Sequence, residues 1–348
     1  VHLLNPLYLL RNRVSWLALI KILPLAAFVA PIVLLFVLNP FDPFLKLSAQ
    51  DSFQLMWKGR TFQLFFVWLL SLELILSWET IKLRISKHNK AVVFFYVIGL
   101  LLPSLYVIGE NYFCFNNVIA NWASQSGVVF FESMPVAVEY LVFAFFFCFL
   151  TFAIFGRKGL KIFALPALFV SLVGALYTVD NVFPYGQFTP FQLLVPTTAL
   201  LASSVLGIIG YNTVFGTENG MPTLQASGSL GTAKFAIAWP CAGVESLLIF
   251  TAVTLLFLKR MPVSWKTKLG LFAFGAAITY LINVLRIATI FTIGMQYGAS
   301  SNQVQMFHFY YGPLYAMAWI LSYPLILLGT HRLWTRTRTP QPTPLTPV

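Results

Sequence analysis

Apolar stretches recur along the whole chain, near 14–38, 61–79, 91–109, 136–155, 162–178, 191–213, 241–258, 269–295 and 309–329, with short polar or basic segments between them. A helix that crosses a bilayer needs about 20 mostly apolar residues. The pattern therefore predicts membrane-spanning helices, not the half-apolar stripes of a soluble bundle. The first run follows Arg11 and Arg13 and could pass for a signal peptide. It is too long for the apolar core of one, contains Lys21 and Pro24, and lacks a small-x-small cleavage site, so it reads as an uncleaved first span. No internal repeat emerges, and no polar stretch is long enough to fold alone.

Composition agrees. Only 9% of the 348 residues are charged and 59% are hydrophobic, against about 25% charged in a soluble domain. The net charge of +12 is not a nucleic-acid footprint, because the basic residues fall in short clusters between apolar runs. Those clusters are Arg11/Arg13, Lys82/Arg84/Lys87/Lys90, Arg157/Lys158/Lys161, Lys259/Arg260/Lys266/Lys268 and Arg332/Arg336/Arg338. If all are cytoplasmic, even numbers of spans must separate them, and only the interval between Lys161 and Lys259 breaks the rule, with three runs. The run 191–213 carries Pro196, Thr197-Thr198 and Ser203-Ser204 and has no flanking basic residue. It is expected to be an amphipathic or re-entrant segment at the outer surface; the alternative is a ninth span. The expected fold is thus all-α, a polytopic integral membrane bundle of about eight transmembrane helices with both termini inside. The outer loops are then 39–60 (with Lys46, Lys58 and Arg60), 110–135, 179–190, 191–240 (with Lys234) and 296–307. The tail after 330 reads as disordered, basic and cytoplasmic.

Three ionisable residues stand out against this background. Cys241, in Trp239-Pro240-Cys241-Ala242-Gly243-Val244-Glu245-Ser246, lies where a Gly/Ser/Thr-rich stretch meets an apolar run, and is expected to open a helix at its outer end. A helix N-terminus lowers a thiol pKa and can hold an oxyanion. A buried structural cysteine and a Cys114–Cys241 disulfide are the competing readings; Cys148, inside Phe-Phe-Phe-Cys-Phe, reads as packing. Arg286 has no other charge near it in sequence and lies about 26 Å along the helix from Leu269. A guanidinium at that depth needs a partner or a watery cavity, and Asn283, three residues earlier, shares its face; a snorkelling arginine is the plainer alternative. His308 opens the last span among aromatic residues, either as a proton carrier or as part of an aromatic belt. A thiol, an imidazole and a guanidinium at one depth make a set for acyl transfer. Neither a metal-ligand spacing nor a cofactor motif is present, so no cofactor is expected.

On these residues the sequence resembles the exosortase/archaeosortase family of membrane transpeptidases. Cys241-Ala-Gly-Val-Glu-Ser-Leu, Asn283-Val-Leu-Arg286-Ile and the late His308 carry the match, with Thr197-Thr-Ala-Leu-Leu-Ala ahead of Leu206-Gly207. The resemblance covers about 190–325 and divides the chain into N-terminal membrane helices (1–189), a catalytic region (190–330) and a tail (331–348). It implies a cysteine-dependent cut of exported proteins that carry a C-terminal sorting signal of motif, hydrophobic helix and basic tail. A thioester on Cys241 would pass to a lipid or envelope acceptor, with Arg286 supporting thiolate and oxyanion and His308 as acid and base. The active site would lie on the extracytoplasmic face of the cell membrane. Some archaeal members carry arginine at the third position, so His308 leans toward the exosortase-like or another archaeal branch. Many bacterial members read Cys-Ser-Gly-Ile with an arginine two residues on; here Ala242 replaces the serine and Glu245 stands near the arginine position. Glu245 is expected on the helix face of Cys241, paired with Arg286, which would offset its effect on the thiol. The rival readings are a transporter or envelope-assembly scaffold, and a membrane protease with water as acceptor.

Overall fold

A computed structural model of the chain describes residues 16–38, 61–82, 90–183, 194–218, 221–239 and 241–338. The expected outer loop 39–60 with its three basic residues, the clustered residues Arg11, Arg13, Arg84 and Lys87, Pro240, and the end of the tail from 339 lie outside them. Two units follow one another, Val1–Phe188 and Thr189–Val348.

The regular elements of the first unit are all helices among its described residues: α1 (Trp16–Leu38), α2 (Thr61–Leu76), α3 (Lys90–Tyr112), α4 (Phe115–Gln125), α5 (Met134–Ile162) and α6 (Ala164–Val182). Its core is aromatic. Phe28, Phe66 and Phe147 are buried and meet edge to face, with centroids 5.1–5.5 Å apart, the arrangement ring quadrupoles favour. Small residues let the helices approach closely: a Cβ on Gly174 of α6 would come within 2.8 Å of Leu141 on α5. Gly156, at φ 66° and ψ −161°, breaks α5 near its end. Lys21, the lone cation of the first apolar run, donates to the carbonyl of Trp78 at 2.8 Å and lies over that residue's ring. The helix α4 was not expected within 110–135. It buries Ala123 against Met134 and Ala137 and turns Phe115, Val118 and Trp122 outward.

The second unit holds the candidate site. Helix α7 (Leu194–Ile209) leads into a three-stranded antiparallel sheet, β1 (Asn212–Glu218), β2 (Met221–Gly228) and β3 (Gly231–Ala236), in the order β1-β2-β3. There follow α8 (Val244–Leu258), α9 (Trp265–Tyr297), the short α10 (Asn302–Met306), a π-helical turn Phe307–Tyr311, and α11 (Gly312–Arg338). The sheet was not expected: it lies within the stretch 191–240 read as an outer loop, in a chain that is otherwise helical. Its buried residues are Thr223, Leu224, Ala226 and Ala233, too small and too polar a set to read as a strand core.

The 33 residues of α9 make a rod of about 50 Å, some 20 Å longer than the hydrocarbon of a bilayer. The sheet packs along its C-terminal third. Phe235 meets Phe291 edge to face at 5.0 Å, and a Cβ on Gly294 would come within 2.7 Å of the Phe235 ring. Gly231, at φ +128°, passes so close that a Cβ would lie 2.7 Å from the Met295 carbonyl oxygen. On the other half of α9, Gly275 admits Phe250 of α8 and Tyr323 of α11, and Trp319 donates from its indole nitrogen to Thr279 Oγ1 at 3.1 Å.

Among the described residues, six helices are long and apolar enough to cross a membrane, and three shorter apolar helices lie at Phe62–Leu76, Leu194–Ile209 and Val244–Leu258. Together they coincide with the nine apolar runs of the sequence. The chain is a polytopic helical membrane protein. The segment expected to be re-entrant or amphipathic is the 16-residue helix α7, about 24 Å long and so shorter than the hydrocarbon.

Candidate active site

The turn that carries Cys241 is set by its own backbone. Ala242 N–H donates to the carbonyls of Ala238 and Trp239, both at 3.1 Å, which folds the chain back as it leaves β3. Gly243 then takes the left-handed conformation, φ 94° and ψ 5°, and caps α8, whose first residue is Val244. Cys241 therefore does not open the helix, as expected, but precedes it by three residues. The physical reason is Gly243: only glycine enters that region without steric cost, and its left-handed backbone starts the helix at Val244, leaving Cys241 outside the first turn.

Helix α9 supplies the next two residues. Asn283, almost fully buried, donates from Nδ2 to the carbonyl oxygen of Cys241 at 2.8 Å. A Cβ on Gly243 would stand 3.1 Å from that same nitrogen, so the glycine serves both the turn and the contact. Arg286, about one helical turn further, donates from Nη2 to the backbone carbonyl of His308 at 2.8 Å. Its Nε is buried and makes no hydrogen bond to the protein. The guanidinium lies within electrostatic range of both Cys241 and Glu245; Glu245 itself sits in the first turn of α8.

His308, expected to begin the last span, comes from the π-helical turn, four residues before α11. The turn brings its Nε2 to 3.6 Å from Cys241 Sγ, within hydrogen-bonding range for sulfur. Burial first, and the neighbouring Arg286 charge second, push the imidazole down to about 4 from 6.5. Both causes penalise imidazolium, so at neutral pH the ring is an acceptor, not a cation. The chain then turns into α11 at Gly312, where a Cβ would collide with Arg286 Nε at 2.6 Å and with the Phe307 carbonyl oxygen at 2.9 Å.

Four of the five residues singled out in the sequence thus converge on one point: Cys241, Asn283, Arg286 and His308 are joined by direct contacts, and Glu245 stands at electrostatic range. None of the three cysteines is in a disulfide, so the Cys114–Cys241 bridge is not formed. Three contributors were not expected. Thr198 of α7 and Tyr280 of α9 join behind the turn, 2.7 Å apart, and Gly312 makes room for the guanidinium. Tyr280 was findable in principle, because Tyr280, Asn283 and Arg286 follow each other at intervals of three along α9. Among the described residues no group of three or more His, Cys, Asp or Glu could hold a metal ion.

Comparison with known proteins adds one match. A family model described as transmembrane exosortase covers residues 57–325, more than three-quarters of the chain. The match begins well ahead of residue 190, so it takes in most of the N-terminal spans as well as the region that carries the motifs. No curated protein and no solved structure matches the chain.

Proposed function

The chain belongs to the transmembrane exosortase family, and from that premise we propose that it is a membrane-embedded cysteine transpeptidase acting on exported proteins with a C-terminal sorting signal. The observation that carries the proposal is the thiol–imidazole contact of 3.6 Å, with a guanidinium tied to the same histidine. His308 Nε2 takes the Cys241 proton as Sγ attacks the scissile carbonyl carbon. The carbonyl oxygen gains the negative charge, and Arg286, whose Nε–H has no bond to the protein, stabilises it. Collapse breaks the C–N bond, the imidazolium returns its proton to the leaving amine, and the thioester remains on Cys241. An acceptor nucleophile then attacks the thioester, passes its proton to His308, and restores the thiol.

The distribution of charge supports an outward-facing site. Lys259, Arg260, Lys266 and Lys268 gather where α8 ends and α9 begins, whereas Arg286 lies about 26 Å further along α9. Basic residues stay on the cytoplasmic side, so the catalytic end faces outward, in the cell membrane. Exported substrates would reach it from that side.

The test is processing of a co-expressed substrate that carries motif, hydrophobic helix and basic tail. Cys241→Ala and Cys241→Ser should both lose processing by roughly 10³-fold or more while the protein stays in the membrane. Processing that survives Cys241→Ala would sink the reading. The mass of the cut product separates acceptors: a lipid-sized increment means transfer, a plain carboxylate end means hydrolysis.

A further inference from the structure

Behind the nucleophile turn lies a pair of hydroxyls that the proposed chemistry does not use. Thr198 Oγ1, fully buried, is 2.7 Å from Tyr280 Oη, 2.7 Å from the Leu194 carbonyl oxygen and 3.3 Å from the Ala242 carbonyl oxygen. A threonine hydroxyl has one proton and two lone pairs. With both carbonyls able only to accept, the Thr198 proton is shared between them, and Tyr280 supplies the proton of the third bond. The tyrosine O–H thus donates to Thr198 and strengthens what Thr198 donates onward.

We propose that Thr198 and Tyr280 are positioning residues for Cys241, holding the Ala242–Gly243 peptide in the orientation that aims the thiol at His308. The geometry is a two-point clamp. Asn283 holds the carbonyl of Cys241 at 2.8 Å, and Tyr280, one turn earlier on the same face of α9, holds the carbonyl of Ala242 through Thr198. Consecutive carbonyls fixed in this way leave the peptide planes on either side of Ala242 no freedom to rotate. Because a peptide is planar, the grip on the Ala242 carbonyl also sets the direction of the Gly243 N–H, at the start of α8 and next to the thiol. An intrahelical bond from Thr198 to Leu194 alone is what any threonine in an apolar helix makes. The bonds to a second helix and to the nucleophile turn are not of that kind. They make α7 part of the catalytic apparatus, although none of its residues touches the Cys241 or His308 side chains among the contacts described above.

The clamp rests on the proposed role of Cys241, and the test separates the two. In membranes of a variant with Cys114 and Cys148 replaced by serine, the rate at which iodoacetamide alkylates Cys241 is measured against pH, alongside kcat and KM for substrate processing. Thr198→Val removes the hydroxyl and keeps the shape; Tyr280→Phe removes one oxygen. Each should lower kcat roughly 10-fold with KM within about twofold, and each should change the pH profile of alkylation. Thr198→Ser should restore both readouts. Wild-type kcat and wild-type alkylation in Thr198→Val and Tyr280→Phe would overturn the clamp. So would a Thr198→Ser protein as impaired as Thr198→Val, because the methyl and not the hydroxyl would then matter. Should Thr198→Val fail to accumulate, Tyr280→Phe decides alone. If Cys241→Ala still processes substrate, the transpeptidase reading falls, yet the alkylation profiles still report whether the clamp exists.

Discussion

His308 sets the pH behaviour of the site. Its folded-state value, near 4, lies below the ordinary 6.5, so between those limits the unfolded chain binds a proton that the folded chain does not. Stability associated with this residue is therefore complete above about pH 6.5 and is lost as pH falls toward 4. Catalysis should follow the same group. The imidazole stays a neutral base well below pH 6.5, so kcat/KM for processing should hold through pH 6 and fall on an acid limb near pH 4–5. His308→Ala should lack that limb. A wild-type acid limb at 6.5 or above would mean that the ring titrates as it does in water. Cys241, Arg286 and His308 were legible as candidates because an ionisable side chain in or beside an apolar run must have a reason to be there. Thr198 was not, because a threonine hydroxyl enters an apolar helix without penalty by bonding back to its own turn; Tyr280 was marked only by its spacing from Asn283 and Arg286.

At the scale of elements, two glycines decide whether these side chains meet. Gly243 takes a left-handed conformation that costs other residues roughly 1–2 kcal/mol, and its missing side chain leaves Asn283 its place. Gly312 ends the π-helical turn against the guanidinium. The two should fail differently on substitution by alanine. Gly243→Ala should lower both the melting temperature in detergent and processing. Gly312→Ala should cut kcat by 10-fold or more, because the added Cβ displaces Arg286, and should lower the melting temperature less than Gly243→Ala, because Gly312 already has a right-handed helical backbone. Equal melting losses in both would make Gly312 a packing residue. The sequence marks neither π turn nor sheet. A π turn is one residue inserted in a helical pattern, invisible in an apolar run. The sheet buries small residues and Thr223, and its outer strand β1 exposes nearly all of its length, so the alternation that identifies a strand is too faint to separate it from a polar loop.

For the whole molecule, the nine apolar runs were legible because a bilayer sets one length for every helix, and the three that proved short have 15 or 16 residues. Two of these three, α7 and α8, flank the turn that carries Cys241 and the third, α2, lies in the first unit, so counting runs could not say which of them cross. Helix α9 can be tested directly, because both its ends are exposed and Asn283 and Arg286 lie toward one of them. Ser300, just past its C-terminal end, and Pro262, just before its N-terminal end, are both exposed. In a chain with its native cysteines replaced, Ser300→Cys should react with a membrane-impermeant maleimide in whole cells. Pro262→Cys, beside Lys259 and Arg260, should react only after the cells are opened. Labelling in the opposite sense would put the thiol–imidazole pair on the cytoplasmic face, where an exported substrate would have to be cut before it left. Labelling of both from one side would mean that α9, for all its 50 Å, does not cross, and the positive-inside argument would lose its anchor in this unit.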